Sequence, residues 1–176
     1  IHWNTVMKPK GFEIVVKDDA KRPIVRGSRI KSLSSNDGSQ NQQAEVKRLT
    51  ASCTTDFEKA KILYEYMQQK VRYVSIQVGI GGWQPFPAET VDRLSYGDCK
   101  ALSNYMQSIL GVAGINSLYT LALAGTENPT IHADFSCNQF NHAILCVPLK
   151  NDTVWLECTS QRNPFNYMGT FTADRN

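Results

Sequence analysis

The chain predicts an α+β fold in which a helix that begins at a cysteine packs on an antiparallel sheet. Two segments, 56–70 and 99–113, repeat apolar residues at helical spacing: Ala60, Ile62, Leu63, Tyr66 and Met67 in the first, Leu102, Tyr105, Met106, Ile109 and Leu110 in the second. Three later runs, 115–124, 142–147 and 154–159, have the length and side chains of strands, and a short loop with Pro148 and Asn151-Asp152 joins the last two as an antiparallel hairpin would. A tight turn at Tyr96-Gly97-Asp98 leads directly into the second helix at Cys99. At 176 residues the chain fits one domain and buries a substantial core.

The elements follow in chain order. Residues 1–31 alternate in places, as in Phe12-Glu13-Ile14-Val15-Val16, and read as short strands or an extended arm. Ser32–Gln43 is rich in Ser, Asn, Gln and Gly, which have little to bury, and reads as a solvated loop. The chain therefore divides near residue 50, with 1–50 as an arm or the remnant of a preceding domain and 51–176 as the core. Thr55-Asp56-Phe57-Glu58 fits a capping box that opens the first helix. The run 71–78 is β-rich, and 79–87 is a loop with the glycines and prolines that a sharp path needs. Asp98 caps the second helix, which stops near Gly114 and is the central buried one. No internal repeat occurs.

Composition excludes several classes of function. The hydrophobic fraction is 41% and the charged fraction 20%, as in globular proteins, and no apolar stretch approaches the roughly 20 residues that cross a bilayer. The net charge of +3 comes without a dense Lys/Arg run, so no nucleic-acid partner is indicated. Ile1-His2-Trp3-Asn4 has neither the regions of a signal peptide nor an initiator methionine, and reads as the continuation of a longer precursor carrying other domains. Cys53, Cys99, Cys137, Cys146 and Cys158 leave one over if four pair, but they read better as unpaired thiols. With no Cys-x-x-Cys and only His2, His132 and His142, no metal site is expected.

The chemistry centres on Cys99. Amides at a helix start lack partners and carry partial positive charge, so they favour a thiolate and can cradle an oxyanion. Phe140-Asn141-His142-Ala143-Ile144-Leu145 sets a histidine at the mouth of an apolar strand, and Val154-Trp155-Leu156-Glu157-Cys158-Thr159 sets a carboxylate in the next. Nucleophile, base and orienting acid thus occur in that order. Two hairpin registers are open for the acid. A tight turn centred on Asn151-Asp152 puts Glu157 opposite Cys146, about 13 Å along the strand from His142. A wider loop centred on Leu149-Lys150 puts Glu157 opposite His142, and Pro148 favours it because proline cannot donate to a ladder.

Together with the helix 57–70, Val71-Arg72-Tyr73-Val74-Ser75-Ile76 and the loop Gly79-Ile80-Gly81-Gly82-Trp83-Gln84-Pro85-Phe86-Pro87, the motif Gly97-Asp98-Cys99-Lys100 with Asn141-His142 and Trp155-Leu156-Glu157 resembles the transglutaminase-like superfamily over roughly residues 54–170. That fold is a permuted relative of the papain cysteine proteases. The resemblance is greatest to a bacterial branch in which such a core follows a β-rich N-terminal domain. It implies a papain-like architecture with Cys99 as nucleophile, His142 as general base and Glu157 as orienting acid. It also implies Gln84 and Trp83 as donors completing an oxyanion hole, and Tyr96, Phe86 and Trp155 as walls of an acyl-binding cleft. The implied activity is hydrolysis of a peptide or protein amide through a thioester, with no cofactor, outside the cytoplasm of a bacterium. Protein crosslinking and a non-catalytic binding module are the alternatives. Two positions depart from the superfamily's pattern: Glu157 stands where aspartate is commoner, and Ala101 stands where the closest relatives often carry an acid.

Overall fold

Helix α2 (Asp56–Lys70) begins as its sequence dictates. The Thr55 hydroxyl accepts from the Glu58 amide at 3.1 Å while the Glu58 carboxylate accepts from the Thr55 amide at 3.0 Å, closing the capping box. This computed structural model describes residues 12–15, 25–28, 40–125, 139–150 and 152–172. The helix α4 (Cys99–Val112) buries Leu102, Tyr105, Met106, Ile109 and Leu110 as its periodicity requires, and Ser103 and Asn104 as well. It therefore lies inside the molecule. It packs on strands β5 (Leu118–Ala122) and β6 (His142–Pro148) and against helices α1 (Gln40–Thr50), α2 and α3 (Ala88–Leu94). Its end is a Schellman motif: Gly114, at φ +78°, donates to the Gly111 carbonyl at 3.0 Å and Ile115 to that of Leu110 at 2.9 Å.

The main sheet has the order β1-β2-β5-β6-β7, with β1 at Phe12–Val15, β2 at Val25–Ser28 and β7 at Thr153–Leu156, and every neighbouring pair is antiparallel. Ala143, Leu145 and Val147 of β6 join Val154 and Leu156 of β7 in one core with the apolar stripe of α4. A two-stranded parallel ribbon, β3 (Arg72–Tyr73) with β4 (Tyr96–Gly97), delivers the chain to the start of α4. Between them a 3₁₀ turn (Gly79–Gly82) and α3 lead back, and the buried Asn104 of α4 ties this connection down by donating to the Phe86 carbonyl at 3.0 Å. Lys70 Nζ at 2.6 Å and the Tyr105 hydroxyl at 2.9 Å both meet Asp92 Oδ1, which braces α2, α3 and α4 together.

Three expectations need correction. Residues 40–43, read as loop, form the first turn of α1, whose Gln42 and Val46 are buried; one of these two is polar, so the helix lacks the three to four apolar residues per two turns that would make it stand out. Of the β-rich run 71–78 only Arg72 and Tyr73 lie in a strand, and 74–78 is largely exposed chain outside any strand or helix. The hairpin adopts neither of the two registers foreseen. Cys146 pairs with Trp155 and Pro148 with Thr153, and Leu149 donates to the Asp152 carbonyl at 2.8 Å. That bond makes the next pair, Pro148 with Thr153, a non-hydrogen-bonded one, so the missing proline N–H is turned toward β5. There β5 has not begun, because its first residue, Leu118, lies opposite Cys146. Proline thus fits a tighter hairpin than its chemistry alone implied.

Candidate active site

Each residue of the turn into α4 has a local reason. A Cβ on Gly97 would lie 2.8 Å from the Cβ of Ala101, so only glycine lets the turn pass this close to the helix. The same approach explains why a small residue occupies position 101, which is buried. Asp98, extended at φ −83° and ψ −178°, is the N-cap, and its Oδ1 accepts from the Ala101 amide at 2.9 Å. Its other oxygen is paired with Lys100 Nζ. Cys99 is left at the first helical position, half-buried, beside amides that no preceding turn can satisfy.

His142 begins β6, and a clamp just ahead of it fixes its place. The Asn141 side chain donates to the Ala124 carbonyl and accepts from the Ala124 amide, both at 2.8 Å, and the Asn141 amide donates to the Ala122 carbonyl at 3.2 Å. Asn141 thus serves the strand and not the imidazole. The buried His142 presents Nε2 to Glu157 Oε2 at 2.7 Å. Cys99 acts on the imidazole as well, favouring its protonated form. With Nε2 committed to Glu157, Nδ1 is the ring nitrogen left for another partner. Burial lowers the imidazole pKa, but the hydrogen bonds to Cys99 and Glu157 and the charges behind them outweigh it and raise the value to about 9.

Glu157 reaches His142 by a diagonal. β7 ends at Leu156, opposite Leu145, so Glu157 is the residue that would face Ile144, two along the strand from His142 and on the same side of the pleat. Diagonal neighbours are about 7–8 Å apart, a span for long side chains. Glutamate covers it where aspartate would start one bond, roughly 1.5 Å, short. The register thereby accounts for the departure from the commoner acid. All four donors reach the carboxylate well: the Thr159 amide (3.0 Å) and hydroxyl (2.6 Å) on Oε1, His142 and the Thr172 hydroxyl (2.8 Å) on Oε2. Burial raises the Glu157 pKa, and the His142 and Thr159 bonds more than reverse this, leaving it below the usual carboxylate range.

The surroundings keep this group specific. Burial, with the charge of Glu157, pushes the Cys158 thiol far up, so it stays neutral and inert. Tyr119 of β5 is held protonated first by burial and then by the charges of Cys99 and Asp98. Cys53 and Cys99 are the partly exposed thiols among the described residues, and Cys137 lies outside them. Trp83 is 73% exposed and Gln84 is exposed as well, on the connection that Asn104 anchors. Tyr96, Phe86 and Trp155 are half-buried, and the Trp155 amide donates to Asn166 Oδ1 at 2.9 Å, sealing the outer edge of β7. No three His, Cys, Asp or Glu side chains gather to hold a metal ion among the described residues. His2 and His132 lie outside them.

Sequence reasoning missed three contributors. Thr159 follows Glu157 by two residues, a spacing at which side chain and backbone commonly bond, and that signal was available. Thr172 and Phe171 belong to α5 (Gly169–Thr172), whose place no local pattern announces. The Phe171 ring stands edge-on to the His142 ring, centroids 5.3 Å apart.

Residues 43–163 match the core of the transglutaminase-like superfamily, and the chain belongs to that superfamily. The fold is also similar to the crystal structure of a putative protease from Parabacteroides distasonis, with a TM-score of 0.55 at 17% identity. That likeness covers 66% of this chain and 23% of the other, so this chain spans about a quarter of the protein it resembles. No curated protein matches the sequence. No helix among the described residues is long and apolar enough to cross a membrane.

Proposed function

We propose that this domain is a cysteine-dependent amide hydrolase. The observation that carries the reading is the buried His142 held between Glu157 at 2.7 Å and the Cys99 thiol. In this reading Cys99 passes its proton to His142 Nδ1, and the thiolate attacks the amide carbonyl. The oxyanion is received by the amides at the start of α4, aided by Gln84 or Trp83. His142 then protonates the leaving amine as the C–N bond breaks, which leaves a thioester on Cys99. Water, giving its proton back to His142, attacks the thioester and frees the acid and the thiol. Glu157 stabilises the imidazolium in both halves. Tyr96 and Trp155 form walls of the cleft for a peptide or protein substrate, and the domain works outside the bacterial cytoplasm.

The test is exposure of the protein to a protein substrate with and without a labelled primary amine. Cleavage products that need Cys99 bear the reading out. Incorporation of the amine in place of cleavage reassigns the acyl acceptor and makes the domain a crosslinking enzyme. If iodoacetamide modifies Cys99 no faster than Cys53 at neutral pH and neither product forms, the domain is a binding module.

A further inference from the structure

We propose that Thr172 is a positioning residue for the acid: with Thr159 it fixes the Glu157 carboxylate so that Oε2 meets His142 Nε2. The proposal rests on the cysteine-hydrolase reading. A glutamate has three side-chain torsions to fix, one more than aspartate, and a diagonal reach leaves it no lateral support from the ladder. Thr159 fixes one oxygen with two donors, which still permits the carboxylate to swing about that point. The Thr172 hydroxyl stops the swing by donating to Oε2, the oxygen that also meets the imidazole. Thr172 is 1% exposed, and its β-branched side chain has few rotamers. The Phe171 carbonyl accepts from the Gly125 amide at 3.0 Å, which ties α5 to the chain just past the end of β5. The same short helix places Phe171 against the imidazole, shielding the Glu157–His142 bond on that side. Both residues lie beyond the segment that matches the superfamily, so this support belongs to this chain's own C-terminal segment.

A donor on Oε2 also makes that oxygen a weaker base, so the proton stays on His142 and does not pass to the carboxylate. Among the described residues, three other ionisable groups adjoin Glu157. His142 comes from β6, and Tyr64 from α2 donates to the Glu157 carbonyl at 2.8 Å; Cys158 adjoins in sequence. Burial keeps Tyr64 and Cys158 neutral, so among the described residues it is His142 that shares the proton with Glu157.

Thr172→Val keeps the shape and removes the donor, and Thr172→Ser keeps the donor. Carbon-13 titration of the Glu157 carboxyl reads the bond without any turnover. The expected result is a midpoint moved to higher pH in the Val variant and restored in the Ser variant, with Thr172→Ala read in the same way if Val does not fold. Coincident midpoints overturn the inference. Alkylation of Cys99 by iodoacetamide gives an independent reading: at pH 5 the Val variant should react about tenfold more slowly than the parent, the gap narrowing toward pH 8. An equal loss at every pH is what a merely structural role gives, and it also overturns the inference. If Cys99 of the parent shows no enhanced reactivity, the hydrolase reading falls, and the carboxyl titration still decides the role of Thr172.

Discussion

At the start of α4 five consecutive residues build the whole feature: Gly97 permits the approach, Asp98 caps, Cys99 is presented, Lys100 pairs with the cap and Ala101 fits over the glycine. At the end of β7 a single residue, Glu157, is held by groups from β6, from the turn at Thr159 and from α5. The first arrangement is local and stiff, and its parts stand next to one another in the chain. The second is assembled across the fold, and each part acts through a side chain that has other conformations open to it. A nucleophile must be exposed at one fixed point, which a helix start supplies by itself. An acid must meet a base carried on another strand, which only the tertiary fold arranges.

Substitutions test the two ends in turn. Cys99→Ala should abolish amide cleavage and leave the melting curve near the parent's, because its helix is held by the other buried residues; retained turnover ends the hydrolase reading. His142→Ala, where the two ends meet, should lower kcat/KM by about 10³- to 10⁴-fold. At Glu157 both Gln and Asp should cost about 10- to 100-fold, one by losing the charge and the other by falling short of the diagonal. Should Asp match the parent, the diagonal account is wrong. Gly97→Ala should cost about 1–3 kcal/mol in urea unfolding, since the new methyl meets the Ala101 Cβ on a rigid helix. An unchanged midpoint would show that the turn is less confined than its geometry implies.

The pH dependence follows from His142. Its value in the folded protein is raised to about 9, so its contribution to stability is fully present below its ordinary value near 6.5 and is lost as pH rises through about 9. Denaturant midpoints should therefore fall between pH 7 and 10 in the parent and fall less in His142→Ala. Cleavage should decline over the same range, because the imidazolium that protonates the leaving amine disappears.

How much could be read beforehand follows the same division. The capping box at Thr55, the Asp98 cap and the end of α4 were legible because each depends on neighbours in the chain; Cys99, His142 and Glu157 stood out through the resemblance of the motifs around them, and the meeting of His142 with Glu157 is the work of the tertiary fold. The hairpin register was not, because Pro148 is compatible with more than one pairing when its missing donor faces an empty stretch of β5. Helix α1 was hidden by its polar composition and α5 by its four-residue length, and α3, only seven residues long, begins directly after the loop 79–87 and went unassigned. Thr172 was beyond reach for a further reason: a threonine that supports an acid fifteen residues away leaves no mark on the residues around it.

The Asn141 clamp carries one more consequence. By closing both backbone groups of Ala124 with its amide, it seals the base of the connection between β5 and β6 immediately before the histidine. Where β6 begins, and with it the position of His142, is thereby set by a polar clasp to the neighbouring backbone and carries its own register mark.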